Sequence, residues 1–245
     1  MATGGGSQGP EFQVHVLGHP KEGAENTHGQ LGACPFSSHV LLLLEEKAVP
    51  YTVNFVDVQD KPDWVSRANP QGSLPILKDL KGGGQFLYDS DAISDFLEDK
   101  YGGSADPEPD SSGKRPLRKL ADCPQPGPQL WPAFISFLSA APGSSEEGQA
   151  RSELQAQLQA IEQAVTNESP FVGGQDVCAY DCALAPRLYL ARQGCKLLKG
   201  WDWAEEHDNV KAYLHRMMGR PSWRNIASWD DECIASDLRR KMPKA

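Results

Sequence analysis

Cys34-Pro35-Phe36-Ser37, followed by the apolar run Val40-Leu41-Leu42-Leu43-Leu44, constrains this chain more than any other stretch. A proline directly after the cysteine, ahead of helix-forming residues, predicts a helix with Cys34 as N-cap and Pro35 as first residue. Unpaired backbone N–H groups and the positive end of the helix dipole at that position favour a thiolate over a thiol. Ser37 stands where a dithiol oxidoreductase would place its second cysteine. The motif therefore has no resolving thiol, and an oxidised Cys34 would need an external thiol to regenerate it. The plainer alternative is a buried structural cysteine that happens to precede a proline.

A chain of 245 residues with 39% hydrophobic residues can bury one large core or two smaller ones. The mean hydropathy is −0.50, and Val40 to Leu44, its longest apolar run, reads as a core segment. A membrane helix would need about 20 apolar residues. A net charge of −9 argues against nucleic-acid binding, which demands clustered Lys and Arg. Any anion site must therefore be built locally. The cysteines at 34, 123, 178, 182, 195 and 233 show no regular framework. Cys178 and Cys182 would share a helix face, but no further His or Cys pair completes a zinc set. They read as free thiols in a reducing compartment, with no metal. Met1 to Ser7 is Gly-rich and lacks the order of a secretory signal; the stub of an organelle transit peptide would look the same.

Alternation in Phe12 to Val16 and in Tyr51 to Val56 predicts two strands, and the helix from about Ser37 to Lys47 between them makes a β-α-β unit with a parallel pair. His19 to Gly32 reads as a loop. Asp60-Lys61-Pro62-Asp63-Trp64 opens a short helix, and Asn69 to Ser73 is a turn by composition. Leu74-Pro75-Ile76-Leu77 leads into a third strand. Gly82-Gly83-Gly84 turns the chain back into Gln85 to Tyr88, and Asp89-Ser90 caps a helix ending at Gly102. Residues 10–102 thus form an α/β domain with a four-stranded mixed sheet. Residues 103–115 have linker composition, and 116–245 read as all-helical. Helices are expected from Leu130, after the Ser144 to Glu147 capping box, from Asp181 to Arg192 and from Val210 to Met218.

These motifs resemble the glutathione transferase superfamily, with a thioredoxin-like domain ahead of a helical one. The likeness extends over about 230 residues. Beyond the cysteine motif it includes Leu44-Glu45-Glu46-Lys47-x-x-Pro50-Tyr51, Asp60-Lys61-Pro62-x-Trp64, Asn69-Pro70-x-Gly72-x-Leu74-Pro75 and Asp89-Ser90-Asp91-x-Ile93. Gly173-Gly174, Leu184 to Tyr189 and Gly219-Arg220-Pro221-Ser222-Trp223 continue it. The set is most similar to the plant and algal dehydroascorbate reductases.

The resemblance implies glutathione as co-substrate and Cys34 as nucleophile. Proline after Leu74 resembles the family's cis-proline, which turns the backbone of Leu74 toward the cysteinyl unit of glutathione. Ser90 and the backbone around Asp89 would hold the γ-glutamyl carboxylate at a helix N-terminus, with Asp89 facing its ammonium. Lys61 would pair with a glutathione carboxylate, and Phe36 would wall the thiol. His15 and Ala33 fall on the ascorbate side. The implied reaction is glutathione-dependent reduction of dehydroascorbate, in a monomer, in the cytosol or the plastid stroma.

The chain departs from that pattern at several positions. Ala33 stands where the family has Asp, His15 where it has Lys, and Leu190 where plant members have His. Asp237 pairs, without gaps, with a C-terminal Trp. Two neighbouring readings stay open: an omega- or lambda-type glutathione thioltransferase, and a protein like the intracellular chloride channels. The second is disfavoured because Glu45, Glu46 and Lys47 interrupt the segment that would enter a membrane. Cys178 falls at a helix N-cap where the superfamily places Ser or Thr.

Overall fold

The computed structural model describes residues 9–19, 30–101 and 117–242. Its elements run β1 (Phe12–His19), β2 (Gln30–Leu31), α1 (Pro35–Glu46), β3 (Tyr51–Val56), α2 (Asp63–Ala68), β4 (Ile76–Asp79), β5 (Phe86–Tyr88) and α3 (Ser90–Tyr101). The helical half follows with α4 (Leu130–Ser139), α5 (Ser145–Ala164), α6 (Ala179–Lys199), α7 (Asp208–Met218), α8 (Pro221–Ile226) and α9 (Asp231–Arg239). Gly102, the expected linker and the N-terminal Gly-rich stretch lie outside the described residues.

The main sheet has the order β3-β1-β4-β5. β1 and β3 run parallel, Phe12 opposite Tyr51 through Leu17 opposite Val56, with α1 as the crossover. β4 lies antiparallel on the other side of β1, and β5 antiparallel on β4. The four-stranded mixed sheet expected from the sequence is present. What differs is β2: the stretch read as a loop contributes a two-residue strand, with Gly18 opposite Leu31 and His19 opposite Gln30. β1 is correspondingly longer at its C-terminal end.

α1 occupies the centre of the molecule. It packs on β1 and α3 on one side and on α6 and α8 on the other. Leu41 to Leu44 are therefore buried in sequence, which a helix with a single apolar face could not arrange. The charges that follow are all engaged. Glu45 Oε1 accepts from Tyr51 Oη at 2.6 Å, and Glu46 takes a two-pronged bond from Arg220 at 2.6 and 2.7 Å as well as the Ser222 hydroxyl. Lys47 Nζ meets Glu98 at 2.8 Å with neither side chain exposed. The Glu-Glu-Lys segment thus ties α1 to α3 within the thioredoxin-like half and to α8 in the helical half. Among the described residues no helix is long and apolar enough to cross a membrane.

α2 covers the opposite face of the sheet over a small core of Val56, Val65 and Ile76. The helical half is longer in its elements than the sequence predicted. α6 starts at Ala179 and ends at Lys199 before Gly200, which takes the left-handed conformation (φ 64°) of a helix C-cap. α8 and α9 were not anticipated.

Candidate active site

Cys34 is the N-cap of α1, in extended conformation (φ −119°, ψ 109°), with Pro35 at the first helical position. Its C=O accepts from the Ser38 N–H at 3.1 Å and the Ser38 hydroxyl at 2.8 Å. Its side chain makes no capping hydrogen bond and is 6% exposed, so Sγ is held in place without being consumed. Ser37, the residue one turn on, is fully buried and accepts from the Leu17 N–H at 3.3 Å. It anchors α1 to β1 and supplies no second thiol.

Sheet register brings the other expected residues to this same end. Ile76 pairs with both His15 and Tyr88, so Pro75 just before it and Asp89 just after Tyr88 are neighbours across the β4–β5 hairpin. The Leu74–Pro75 peptide is cis. Neither the N–H nor the C=O of Leu74 is engaged by another described residue. The turn before it is held by the Asn69 amide, which donates to the Ser73 C=O at 2.9 Å and the Ser73 hydroxyl at 2.8 Å. Lys61 Nζ donates to the Gly72 C=O at 2.8 Å in the same turn. Asp89 sits at φ 71°, and its Oδ1 accepts the N–H groups of Asp91 and Ala92, each at 3.0 Å, capping α3. Ser90 is buried beside it.

Above this end lies a cleft of about 460 Å³ between the two halves, with Phe36, Asp91 and Asp95 on one wall and Trp131, Tyr180 and Arg187 on the other. Phe36 meets Trp131 edge-on at 6.3 Å, and the Arg187 guanidinium stacks over the Phe36 ring at 5.5 Å. Arg187 stands 3.7 Å from Asp91, while its Nε is buried without a partner. Beneath it His39 is fully buried. Burial, with the Arg187 charge adding to it, lowers its pKa to about 3, so the imidazole is neutral.

The two residues expected on the ascorbate side, His15 and Ala33, lie in different surroundings. His15 does not line the cleft. It points to the α2 face of the sheet, its ring 4.4 Å from that of Trp64, because side chains alternate along β1 and Val14 and Val16 take the α1 side. Burial, and then the charge of Lys78, lowers its pKa to about 4. Ala33 is at the site but acts through its backbone, whose N–H donates to Asp237 Oδ2 at 2.8 Å.

That contact belongs to a clasp that sequence reasoning missed. From α8 onward the chain folds back over residues 31–33. Trp229 Nε1 donates to the Gly32 C=O at 3.1 Å, and Cys233 Sγ lies 3.7 Å from the Leu31 C=O. Asp237 Oδ1 also faces His19 Nδ1 and Arg240 Nη1, each at 3.0 Å. Gly32 is required by this approach, since a Cβ there would meet Leu17 at 2.7 Å and Asp237 at 3.0 Å. The available signal was Asp230 as N-cap with Ile234 and Leu238 at helical spacing. His19, Cys233 and Asp237 also place three potential metal donors within 4.8 Å of one another, a grouping that cysteine spacing alone did not reveal.

Comparison with known proteins agrees with this architecture. Residues 33–100 match the family described as Glutathione S-transferase, N-terminal domain. A rice (Oryza sativa subsp. japonica) relative, "Probable glutathione S-transferase DHAR1, cytosolic", is 34% identical over 90% of this chain and 92% of its own length. The Arabidopsis thaliana "Glutathione S-transferase DHAR3, chloroplastic" is 32% identical over 85% of this chain and 74% of its own. The crystal structure of Chlamydomonas reinhardtii dehydroascorbate reductase superposes with a TM-score of 0.77 at 28% identity, covering 94% of this chain and 98% of that one. With a thioredoxin-like half, a helical half and relatives matched along nearly the whole length, the chain belongs to the glutathione S-transferase family, in its DHAR branch.

Proposed function

We propose that this protein is a glutathione-dependent dehydroascorbate reductase. The observation that carries the reading is a lone thiol at the N-cap of α1, at the end of the sheet where the unengaged Leu74 backbone leads into β4, and two residues before Phe36 on the wall of the interdomain cleft. The cleft receives dehydroascorbate, and the Leu74 N–H and C=O pair with the cysteinyl unit of glutathione as one strand pairs with another. Asp89 and Ser90, at the start of α3, hold the γ-glutamyl end. Lys61 meets a glutathione carboxylate on exchanging its bond to Gly72, and Phe36 walls the thiol.

In the first step the Cys34 thiolate attacks dehydroascorbate. Two electrons leave the sulfur, water supplies an oxygen, and ascorbate departs from a cysteine sulfenic acid. Glutathione condenses with that sulfenic acid, releasing water and leaving a mixed disulfide. A second glutathione attacks the mixed disulfide, giving glutathione disulfide and the free thiol. Arg187, with an unpartnered Nε on the cleft wall, stabilises the ascorbate anion as it forms. Relatives bear both cytosolic and chloroplastic names, and the reaction asks only for a compartment that keeps glutathione reduced.

The test is ascorbate formation from dehydroascorbate and glutathione by the wild type and by Cys34→Ser. Fast turnover abolished by the substitution is expected. Weak turnover alongside rapid reduction of a glutathione mixed disulfide would assign the protein to the thioltransferases instead.

A further inference from the structure

Where α9 folds back over β1 and β2, three side chains of different chemistry converge. Cys233 and Asp237 stand one turn apart on α9 and so share a face. His19, the last residue of β1, meets that face. Its Nδ1 lies 3.0 Å from Asp237 Oδ1, and Cys233 Sγ lies 3.8 Å from Asp237 Oδ2. One donor atom from each of the three residues falls within 4.8 Å of the others. A tetrahedral ion with N, O and S ligands at their usual bond lengths sets its donors about 3.3–3.8 Å apart. Small side-chain rotations would close the triangle to that size.

Hydrogen bonding alone accounts poorly for the thiol. Cys233 is 1% exposed, yet its Sγ has only long contacts, 3.7 Å to the Leu31 C=O and 3.8 Å to Asp237. Gln30, paired with His19 in the β1–β2 register, turns its side chain to the same sulfur. The Gln30 Nε2 is buried and has no hydrogen-bond partner among the described residues, a costly arrangement. Rotated end for end, that amide presents Oε1, a fourth donor. The open edge of the cluster is formed by His19 and Arg240, whose side chains are 15% and 33% exposed. Arg240 Nη1 shares Asp237 Oδ1 at 3.0 Å and can swing to solvent, which leaves an entry path.

We propose that His19, Cys233 and Asp237 form a zinc site, with the Gln30 amide oxygen or a water as fourth ligand. A thiolate, an imidazole and a carboxylate suit a borderline-soft ion, whereas Mg²⁺ and Ca²⁺ take oxygen ligands. Cys233 gives up its thiol proton to solvent as the sulfur takes the ion, and thiolate and carboxylate then balance the two positive charges. Asp237 binds through Oδ1, so Oδ2 keeps the Ala33 N–H. Zinc thereby staples α9 to the strand pair just before Cys34. The site does not rest on the reaction assigned to Cys34.

The test titrates the full chain carrying Cys34→Ser, which removes the nucleophile as a competing ligand. Co²⁺ is the probe, because its thiolate complexes have an intense charge-transfer band and its tetrahedral complexes absorb in the visible. The expected result is one Co²⁺ per chain with both absorptions, displaced by one equivalent of Zn²⁺. In the same background Cys233→Ala should lose the charge-transfer band. His19→Gln, at the open edge, should weaken Zn²⁺ by at least about tenfold. Zn²⁺ should also raise the melting temperature of the Cys34→Ser chain and leave that of the Cys233→Ala variant unmoved. Absence of the charge-transfer band in the Cys34→Ser chain, its persistence in Cys233→Ala, or undiminished Zn²⁺ affinity in His19→Gln would overturn the proposal.

Discussion

Asp237 Oδ2 accepts the N–H of Ala33 at 2.8 Å, so a carboxylate near the end of the chain holds the peptide directly before Cys34. Asp237 is 3% exposed, and His19 and Arg240 share its other oxygen. Asp237→Ala would leave the buried Ala33 N–H without an acceptor, a loss of about 1–3 kcal/mol. We expect a lower melting temperature and a slower reaction, with KM for glutathione unchanged because Leu74, Asp89 and Ser90 are not moved. Asp237→Asn, whose amide oxygen can still accept from Ala33, should recover part of the rate. Wild-type kinetics in Asp237→Ala would show that the clasp is dispensable.

This relationship also marks where the sequence stopped being legible. The α/β half could be read because its signals are local: alternation in β1 and β3, Pro35 after Cys34, glycines between β4 and β5. Even there β2 escaped, since two residues are too short for any alternation to show. The placement of His15 was within reach, because period-two alternation puts it opposite Val14 and Val16. Its position in a family pattern pointed the other way. Asp237 was not legible. Its partner lies on a different half of the molecule, and no local propensity encodes a contact of that range.

Buried His39 gives stability a pH dependence. Its pKa falls from about 6.5 unfolded to about 3 folded, through burial first and Arg187 second. Between those values the unfolded chain binds the extra proton, so stability is complete above pH 6.5 and declines as pH falls toward 3. From pH 7 to pH 5 the loss amounts to about 2 kcal/mol. Urea midpoints at the two pH values measure it. His39→Leu should flatten the dependence, and an equal slope in that variant would exclude His39 as its source.

Lys47 and Glu98 form an ion pair in which neither side chain is exposed, 2.8 Å apart. Burial raises the Glu98 pKa against the opposing pull of Lys47, so the pair is held close to its limit of compensation. Lys47→Met leaves an uncompensated carboxylate in the core and should cost about 3–5 kcal/mol. The double variant Lys47→Met/Glu98→Leu should regain most of that stability. Thermal melts of the two variants decide the matter: a double variant no more stable than the single would mean that the pair also specifies the packing of α1 on α3.

Cys178 supplies the last prediction. It is the N-cap of α6, and the Asp181 carboxylate accepts its N–H at 2.9 Å, along with those of Val172 at 2.9 Å and Gly173 at 3.1 Å. The reciprocal half of this capping box rests on sulfur, a weak acceptor for the Asp181 N–H. Serine would put an oxygen there, and a good N-cap is worth about 1 kcal/mol over a poor one. Against that stands the lost burial of the sulfur, since Cys178 is only 1% exposed. The cap outweighs it because the site is already polar around Asp181. Cys178→Ser should therefore stabilise by about 0.5–1 kcal/mol, and Cys178→Ala, with no acceptor at all, should melt below the wild type. A serine variant melting at or below the wild type would show that the sulfur is held for its packing.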